Sequence, residues 1–227
     1  MHLADKSVKF MGTSAIVGNS IPVGVGLGLA AQLEGKGQVS FIFLGDGAVE
    51  EGVFYESVNF AVVKQLPVIF LCENNNFSVY SDLSVRQPKG RKIFEMVMAM
   101  GIDSHCSDGL EIFESYDLFQ RVFNKVRSTS LPSFIEVNTY RWREHCGPNF
   151  DDVLGYRSDD EVQYWMQNDP LNVLEQELKM EGKYWSEKII AAQQEFELEI
   201  AMAFDYAENS PWPDPIEDSS EVYAVLR

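Results

Sequence analysis

The chain has 227 residues, long enough for one α/β domain with a helical extension, and its 45% hydrophobic and 23% charged residues are typical of a soluble globular protein. Its 35 acidic residues outnumber 18 basic ones, and a formal net charge of −17 argues against a nucleic-acid partner. No apolar run approaches the roughly 20 residues of a membrane span, and the 3 cysteines lie at no metal-binding spacing, so we expect no membrane contact and a cytoplasmic protein with reduced thiols.

A glycine-rich helix is predicted near the start of the chain. Pro22 suits a first helical turn, and the apolar stretch 23–33 continues the helix. Gly24, Gly26 and Gly28 interrupt this stretch, and each costs about 1 kcal/mol relative to alanine inside a helix. Glycines at this density predict a buried helix packed tightly on a neighbour, and a second subunit is one candidate for that neighbour.

A strand–helix–strand unit occupies the centre of the sequence. The apolar run 40–44 stops at Asp46, a helical pattern follows, and a second apolar run, 68–72, leads into three asparagines at 74–76. A unit of this length is a right-handed parallel crossover, so both strands end at the same edge of one sheet. That edge therefore carries the aspartate and the asparagines together.

This edge offers the chemistry of a magnesium and diphosphate site. Ligands of open parallel sheets bind beyond the carboxyl ends of the strands. The Asp46 carboxylate and the Asn75 amide are oxygen donors that suit a hard cation such as Mg²⁺. Gly45 and Gly47 allow backbone N–H groups to approach a ligand, and the following helix N-terminus favours a diphosphate. Each motif alone is typical of an ordinary turn, and their joint placement favours the site.

Further strands and helices complete the predicted fold. We predict an α/β fold in which a parallel sheet is flanked by helices on both faces, with residues 1–158 as the main domain and 159–227 as C-terminal helices and a tail packed on it. The stretch 101–109 is predicted as a short strand and the turn after it, and 134–138 as a further strand. The remaining predicted helices are 91–100, 110–128, 159–168, 169–180 and 184–209.

A second stretch rich in chemical groups, 140–158, follows the last predicted strand. It contains Arg141, Arg143, Glu144 and His145, and no apolar pattern explains them. Because the stretch begins at the same sheet edge as Asp46, it lies where catalytic residues concentrate.

The combination of GDG and NN resembles the thiamine diphosphate fingerprint. The longer string GDGAVEEGVFYESVNFAVVKQLPVIFLCENN resembles the α subunit of the decarboxylating component of 2-oxo-acid dehydrogenase complexes of the pyruvate, branched-chain and acetoin types. This resemblance extends over essentially the whole chain. It implies the thiamine-diphosphate-binding fold of the diphosphate-binding type, with thiamine diphosphate and Mg²⁺ as cofactors and a 2-oxo acid or acetoin as substrate.

The resemblance also implies roles for individual residues. Asp46, Asn75 and the backbone carbonyl of Phe77 match the metal ligands, and His145 matches an active-site histidine. The implied cofactor-binding residues are Ala15 and Val17 at the aminopyrimidine ring, and Gly45, Asp46, Gly47, Ala48, Asn75 and Phe77 around the diphosphate and its metal.

The loop after the last strand departs from the family pattern. The family usually has a histidine at the position of Arg143 and a serine at the position of Cys146. The departure leaves the substrate open. A thiamine-dependent enzyme of carbohydrate or secondary metabolism is one alternative, and an inactive assembly subunit is another. Intact Asp46 and Asn75 speak against the inactive subunit.

Partner chains follow from the same resemblance. Family α subunits carry a further N-terminal segment before the point that matches Met1, and we expect that segment from the same protein or from another chain. A β subunit would supply the carboxylate that activates the aminopyrimidine, in a heterotetramer. A lipoyl acyltransferase partner and self-association into a homo-oligomer are further expectations.

Overall fold

A computed structural model of the chain describes residues 2–182 and 186–212. The strands are β1 (Ser40–Gly45), β2 (Val68–Asn74), β3 (Phe77–Ser78), β4 (Ser81–Asp82), β5 (Asp103–Ser107) and β6 (Ser133–Asn138). Four of them form one parallel sheet in the order β1-β2-β6-β5, and β3 and β4 pair antiparallel as a short hairpin. The predicted parallel sheet is confirmed.

The helices lie close to where the sequence predicts them. They are α1 (Ser20–Glu34), α2 (Gly52–Lys64), α3 (Leu83–Arg86), α4 (Ile93–Met98), α5 (Ile112–Thr129), α6 (Asp159–Gln167), α7 (Pro170–Met180) and α8 (Ser186–Asn209). The predicted polar loop after the asparagines contains instead the β3–β4 hairpin and α3. Elements this short have too few residues to show a hydrophobic period.

The central strands of the sheet explain the long apolar runs. In β2 the residues from Val68 to Cys72 are all buried, because β1 and β6 flank this strand and helices cover both of its faces. β1 lies at an edge of the sheet and alternates instead. Its Ile42 and Leu44 are buried, whereas Phe41 and Phe43 remain 43% and 59% exposed on the other face.

Helices pack on both faces of the sheet, as predicted. Helices α1, α2 and α4 contribute to the larger cluster, where the Phe54 ring lies edge-on to Phe70 and Phe134 at centroid distances of 6.3 and 6.2 Å. Helix α5 covers the opposite face, where Val122 and Val126 belong to the same cluster as the strand residues Ile69 and Ile135. The larger cluster also contains Ile21, Val25, Ile93 and Val97.

The neighbour of the glycine-rich helix is the sheet itself. A Cβ atom on Gly24 would lie 2.4 Å from Cγ1 of Ile42, and one on Gly28 would lie 2.3 Å from Cγ2 of Val68. Gly26 faces open space instead. The expected tight packing of α1 is therefore confirmed. The glycines that carry it face β1 and β2, so this face of α1 is not the contact with a second subunit.

The chain divides into two compact units, Met1–Leu174 and Glu175–Arg227. The predicted boundary after residue 158 stays a prediction. Among the described residues, no helix has the length and apolar character needed to cross a membrane. The part of the predicted C-terminal tail from 213 to 227 lies outside the described residues.

Candidate functional site

The two predicted ligand loops meet at the carboxyl edge of the sheet. β1 and β2 are hydrogen-bonded neighbours, with Gly45 opposite Glu73. Asp46 follows β1, begins a 3-10 turn, and is only 1% exposed. Asn75 follows β2, and its Oδ1 accepts a hydrogen bond of 3.0 Å from the backbone N–H of Phe77. The crossover therefore places the predicted carboxylate and amide donors on adjacent loops.

The glycine at position 47 allows the two loops to approach each other closely. A Cβ atom there would lie 2.6 Å from Oγ and 2.9 Å from Cβ of Ser78, the residue after Phe77. Real Cβ atoms do not approach other heavy atoms so closely. Any larger residue than Gly47 would push the Asp46 turn away from the asparagine loop.

Asp46 is paired with an arginine that the sequence analysis did not select. Nη2 of Arg86, at the end of α3, donates to Oδ2 of Asp46, and Nη1 donates to Oε1 of Glu50. Nε of Arg86 donates to the carbonyl of Ser81 at 3.0 Å. The predicted metal carboxylate therefore has a cationic partner within the chain.

A buried carboxylate on β6 is hydrogen-bonded to the residue that begins the asparagine loop. Glu136 is 5% exposed, and its Oε1 accepts a hydrogen bond of 2.7 Å from the side-chain amide of Asn74. Its Oε2 accepts one of 2.8 Å from the N–H of Phe94 at the start of α4. The Asn74 amide oxygen in turn accepts from the N–H of Asn76 at 2.9 Å. Glu136 thus fixes the loop that presents Asn75.

The loop after β6 returns to the same site through aromatic and ionic contacts. The buried Arg157 pairs with Asp151 and donates to the carbonyl of Arg141. Tyr156 donates a hydrogen bond of 2.7 Å to Asp151 and lies edge-on to the Phe77 ring, with centroids 5.3 Å apart. This network joins stretch 140–158 to the predicted metal loop.

A cleft of about 440 Å³ lies between these loops. It brings the predicted Gly45 and Asn75 together with Arg141 and Arg143. Burial raises the pKa of Tyr140, another lining residue, to about 12, so its phenol stays protonated and is a poor proton acceptor. The full lining is Gly45, Glu73, Asn75, Thr139, Tyr140, Arg141, Trp142 and Arg143.

His145 lies on a small closed turn that directly follows Arg143, one of the residues that line this cleft. The Glu144 N–H donates to the carbonyl of Asn149 at 2.9 Å, and Oε1 of Glu144 accepts from the Asn149 side chain at 2.7 Å. His145 and Cys146 lie exposed inside this turn. The side chain of Arg143 stacks over Phe150, with Cζ 3.9 Å from the ring centroid.

Ala15 and Val17 are exposed in the turn that precedes α1. Ser14 Oγ in this turn accepts a hydrogen bond of 3.1 Å from the N–H of Ile16. The buried Gly18 follows, and a Cβ atom on it would lie 3.2 Å from Cγ of Glu51 at the start of α2. The turn therefore lies next to the segment that follows Asp46.

The donor set suits a hard cation. The described residues contain no group of three or more His, Cys, Asp or Glu side chains that could hold a metal ion. A cation at Asp46 would therefore depend on the oxygens of Asn75 and Phe77 and on ligands from outside the chain. Burial raises the pKa of the nearby Cys72 thiol well above its usual range, so no thiolate competes for the cation.

Sequence reasoning missed three residues that organise the site. Arg86 lies in a stretch interpreted as a polar loop, Glu136 lies inside a strand, and Arg157 lies near the end of the second loop. A charged residue within the otherwise apolar run of β6 is a signal that could have identified Glu136, since buried carboxylates need partners. No local pattern identifies the other two.

Comparisons with known proteins point to one family. A family model described as "Dehydrogenase E1 component" matches residues 1–216. The pyruvate dehydrogenase E1 component subunit alpha of Rickettsia felis is 36% identical over 224 residues, which are 98% of this chain and 67% of the relative. The corresponding subunit of Rhizobium meliloti is 31% identical over 227 residues, covering 100% of this chain and 63% of the relative.

A relative with a different named substrate is similarly distant. The mitochondrial 2-oxoisovalerate dehydrogenase subunit alpha of Macaca fascicularis is 31% identical over 227 residues, covering 100% of this chain and 50% of the relative. Across these three relatives the chain spans between 50% and 67% of their length.

Proposed function

Because this chain belongs to the dehydrogenase E1 component family, we propose that it is the α-type chain, or a part of it, of a thiamine diphosphate-dependent 2-oxo acid dehydrogenase. It binds the Mg²⁺-diphosphate end of the cofactor at the carboxyl edge of β1 and β2 and takes part in decarboxylation of a 2-oxo acid. One observation carries this proposal above the others. The buried carboxylate of Asp46 and the loop that carries Asn75 directly follow the carboxyl ends of two adjacent parallel strands, which one crossover joins.

The residues of this chain have separate tasks in the proposal. Asp46, Asn75 and the carbonyl of Phe77 hold the cation, and the backbone at Gly45, Gly47 and Ala48 receives the diphosphate. The turn with Ala15 and Val17 supports the aminopyrimidine ring. His145 moves a proton, since its imidazole is exposed on the turn that directly follows Arg143, a residue that lines the cleft. When bound, thiamine diphosphate supplies the nucleophilic carbon and the electron sink for decarboxylation.

Partner chains complete the proposed enzyme. A β subunit supplies the carboxylate that activates the aminopyrimidine, a further N-terminal segment grips the diphosphate, and a lipoyl acyltransferase receives the product. The α-subunit names of the relatives support the need for partners. We place the enzyme in the cytoplasm, and the free thiols of Cys72, Cys106 and Cys146 support a reducing compartment.

The choice of substrate rests on the loop after β6. Relatives named for pyruvate and for 2-oxoisovalerate are 36% and 31% identical to this chain, so identity does not select between them. The closed turn between Glu144 and Asn149, with Arg143 beside it, lies where the family pattern is broken. This turn favours a second candidate function, a thiamine-dependent enzyme that acts on a different carbonyl substrate.

The test of the proposed function is Asp46→Ala in the enzyme assembled with its partner chains. We expect the Mg²⁺-dependent affinity for thiamine diphosphate to fall by at least about 100-fold. The variant loses a direct metal ligand, and loss of a residue that only supports such a ligand already costs about 10- to 100-fold. Isothermal titration calorimetry measures this affinity. Asp117→Ala, which removes an exposed carboxylate on α5, is the control and should bind as the wild type does. Equal affinity in Asp46→Ala contradicts the proposed site.

A further inference from the structure

The pairing of Arg86 with Asp46 occupies the carboxylate that the proposed cation needs. The partners lie 40 residues apart in the chain, and Nη2 of Arg86 donates a hydrogen bond to Oδ2 of Asp46. Nη2 also lies 3.4 Å from the carbonyl of Asn76, in the loop that carries Asn75. The guanidinium therefore contacts both loops of the proposed cation site.

Burial gives this contact its importance. The side chain of Asp46 is 2% exposed and that of Arg86 is 10% exposed. An ionised carboxylate removed from water needs a compensating cation. In this structure the guanidinium provides that charge. A divalent cation on the same carboxylate would make the guanidinium redundant, and the two positive charges would repel each other.

Glu50 gives Arg86 a second acceptor. Glu50 is the last residue of the 3-10 turn that begins at Asp46. Its side chain is 30% exposed and already accepts a hydrogen bond from Nη1 of Arg86. Nε2 of Gln87 donates to the same Oε1 of Glu50 at 3.0 Å and steadies this carboxylate. Arg86 can therefore release Asp46 and keep an ionic partner at the edge of the site, where water is accessible.

We propose that Arg86 is a resident counterion that holds the Asp46 carboxylate in place and yields it to a divalent cation, moving fully onto Glu50. Arg86 is a positioning residue in this scheme, because it acts through Asp46. The inference rests on the proposed function, since it needs a cation to bind at Asp46. It goes beyond that function because it couples the binding of the cation to the departure of Arg86 from Asp46.

Direct cation binding by the full chain, without thiamine diphosphate or partner chains, tests the coupling. Mn²⁺ replaces Mg²⁺ as the probe, and its binding is followed by electron paramagnetic resonance. We expect Arg86→Gln to bind Mn²⁺ about tenfold or more tightly than the wild type, because no guanidinium competes for the carboxylate. Arg91→Gln, which removes an exposed arginine hydrogen-bonded to Gln87, should match the wild type.

A thermal-unfolding series separates the proposed role from a merely structural one. Without metal, Arg86→Gln should unfold at a lower temperature than the wild type, and Mn²⁺ should restore much of the loss. The double variant Asp46→Asn with Arg86→Gln should lose both the Mn²⁺ affinity and the restoration. If Arg86 only fastens the β3–β4 hairpin, Mn²⁺ restores nothing, and the proposal is overturned.

A variant that keeps the positive charge covers the case in which Arg86→Gln does not fold. Lysine has no guanidinium Nε–H, so the signal that is present in the wild-type NMR spectrum and absent from that of Arg86→Lys belongs to Arg86. Titration of the wild type with Mg²⁺ should shift this signal as the guanidinium leaves Asp46. A signal unchanged by millimolar Mg²⁺, or Mn²⁺ affinity in a folded Arg86→Gln no tighter than in the wild type, overturns the coupling. Because no cofactor is present, these results stand apart from the cofactor-binding test.

Discussion

Three buried carboxylates around the site are compensated in two ways, by an arginine guanidinium or by hydrogen bonds from neutral amides. Asp46, Glu136 and Asp151 are 1%, 5% and 4% exposed. Asp46 pairs with a guanidinium at the proposed cation site, and Glu136 accepts two hydrogen bonds from neutral amides. Asp151 pairs with the buried Arg157. Since each buried carboxylate needs donors, these partners fix the loops around the cleft with little freedom.

The proposed proton-transfer role of His145 belongs to the same scale. His145→Ala in the assembled enzyme should lower turnover by about 100-fold or more, the usual scale for a lost acid–base group, while the affinity for thiamine diphosphate changes only a few-fold. Cys146→Ser is the control, because it changes the neighbouring exposed side chain and should leave turnover within a few-fold. Steady-state kinetics across pH measures both variants. Wild-type turnover in His145→Ala shows that the histidine has no catalytic role.

At the scale of elements, the glycines of α1 differ in whether they face the sheet or open space. Gly24 and Gly28 let the helix lie directly on Ile42 and Val68 of the sheet, whereas a Cβ atom on Gly26 would meet nothing within 4 Å. Close packing of α1 supports β1 and β2, whose ends carry the proposed cation site. Glycine lowers the intrinsic helix propensity of α1 at these positions, and the close contact with the sheet compensates for that cost.

Two alanine variants of α1 should change stability in opposite directions. Gly26→Ala should raise the free energy of unfolding by roughly 0.5–1 kcal/mol, because the residue gains helix propensity without a clash. Gly28→Ala should lower it, because the new Cβ atom would lie 2.3 Å from a methyl group of the stiff, buried Val68 side chain. Overpacking of this kind costs about 1–3 kcal/mol. Urea unfolding followed by circular dichroism measures both, and destabilisation in both variants contradicts the assigned packing.

At the scale of the whole molecule, the second compact unit lacks a core of its own in the described part of the chain. Helix α8 contains no buried residue, and its Ile189, Phe196, Ile200 and Phe204 are 37%, 58%, 57% and 67% exposed. Their spacing places them along one stripe of the helix. An apolar stripe of this length is typical of a surface that another helix covers.

This stripe predicts that the chain associates with itself when it is purified alone. Phe204→Lys should shift the population toward the monomer, because a charge in an apolar contact loses its water without gaining a partner. Gln194→Lys adds the same charge to α8 away from the stripe and is the matched control. Light scattering after size-exclusion chromatography measures the mass of both. A wild-type chain that remains monomeric at tens of micromolar contradicts the prediction.

The sequence alone was enough to predict the strands that end at the proposed site and their shared edge. The apolar runs before Asp46 and Asn75 predicted two neighbouring strands of a parallel sheet, because the backbone of a buried strand needs apolar residues on both faces. The crossover rule then placed the carboxylate and the amide at one edge. The strands and their shared edge can be predicted because they depend only on local hydrophobic patterns and on the direction of the chain, both of which can be read from the sequence.

The tertiary structure decided which groups neutralise and support those ligands. Arg86 reaches Asp46 across 40 residues, and Asn74 reaches Glu136 across 62. The structure also assigned the glycines of α1 to the sheet, where the sequence had left a second subunit as a candidate. Such contacts depend on the order of the strands in the sheet and on the position of short elements such as α3 in the folded chain. Residues far apart in the chain become partners only after the strands have paired into the sheet. No local pattern in the sequence predicts which of these distant residues will meet.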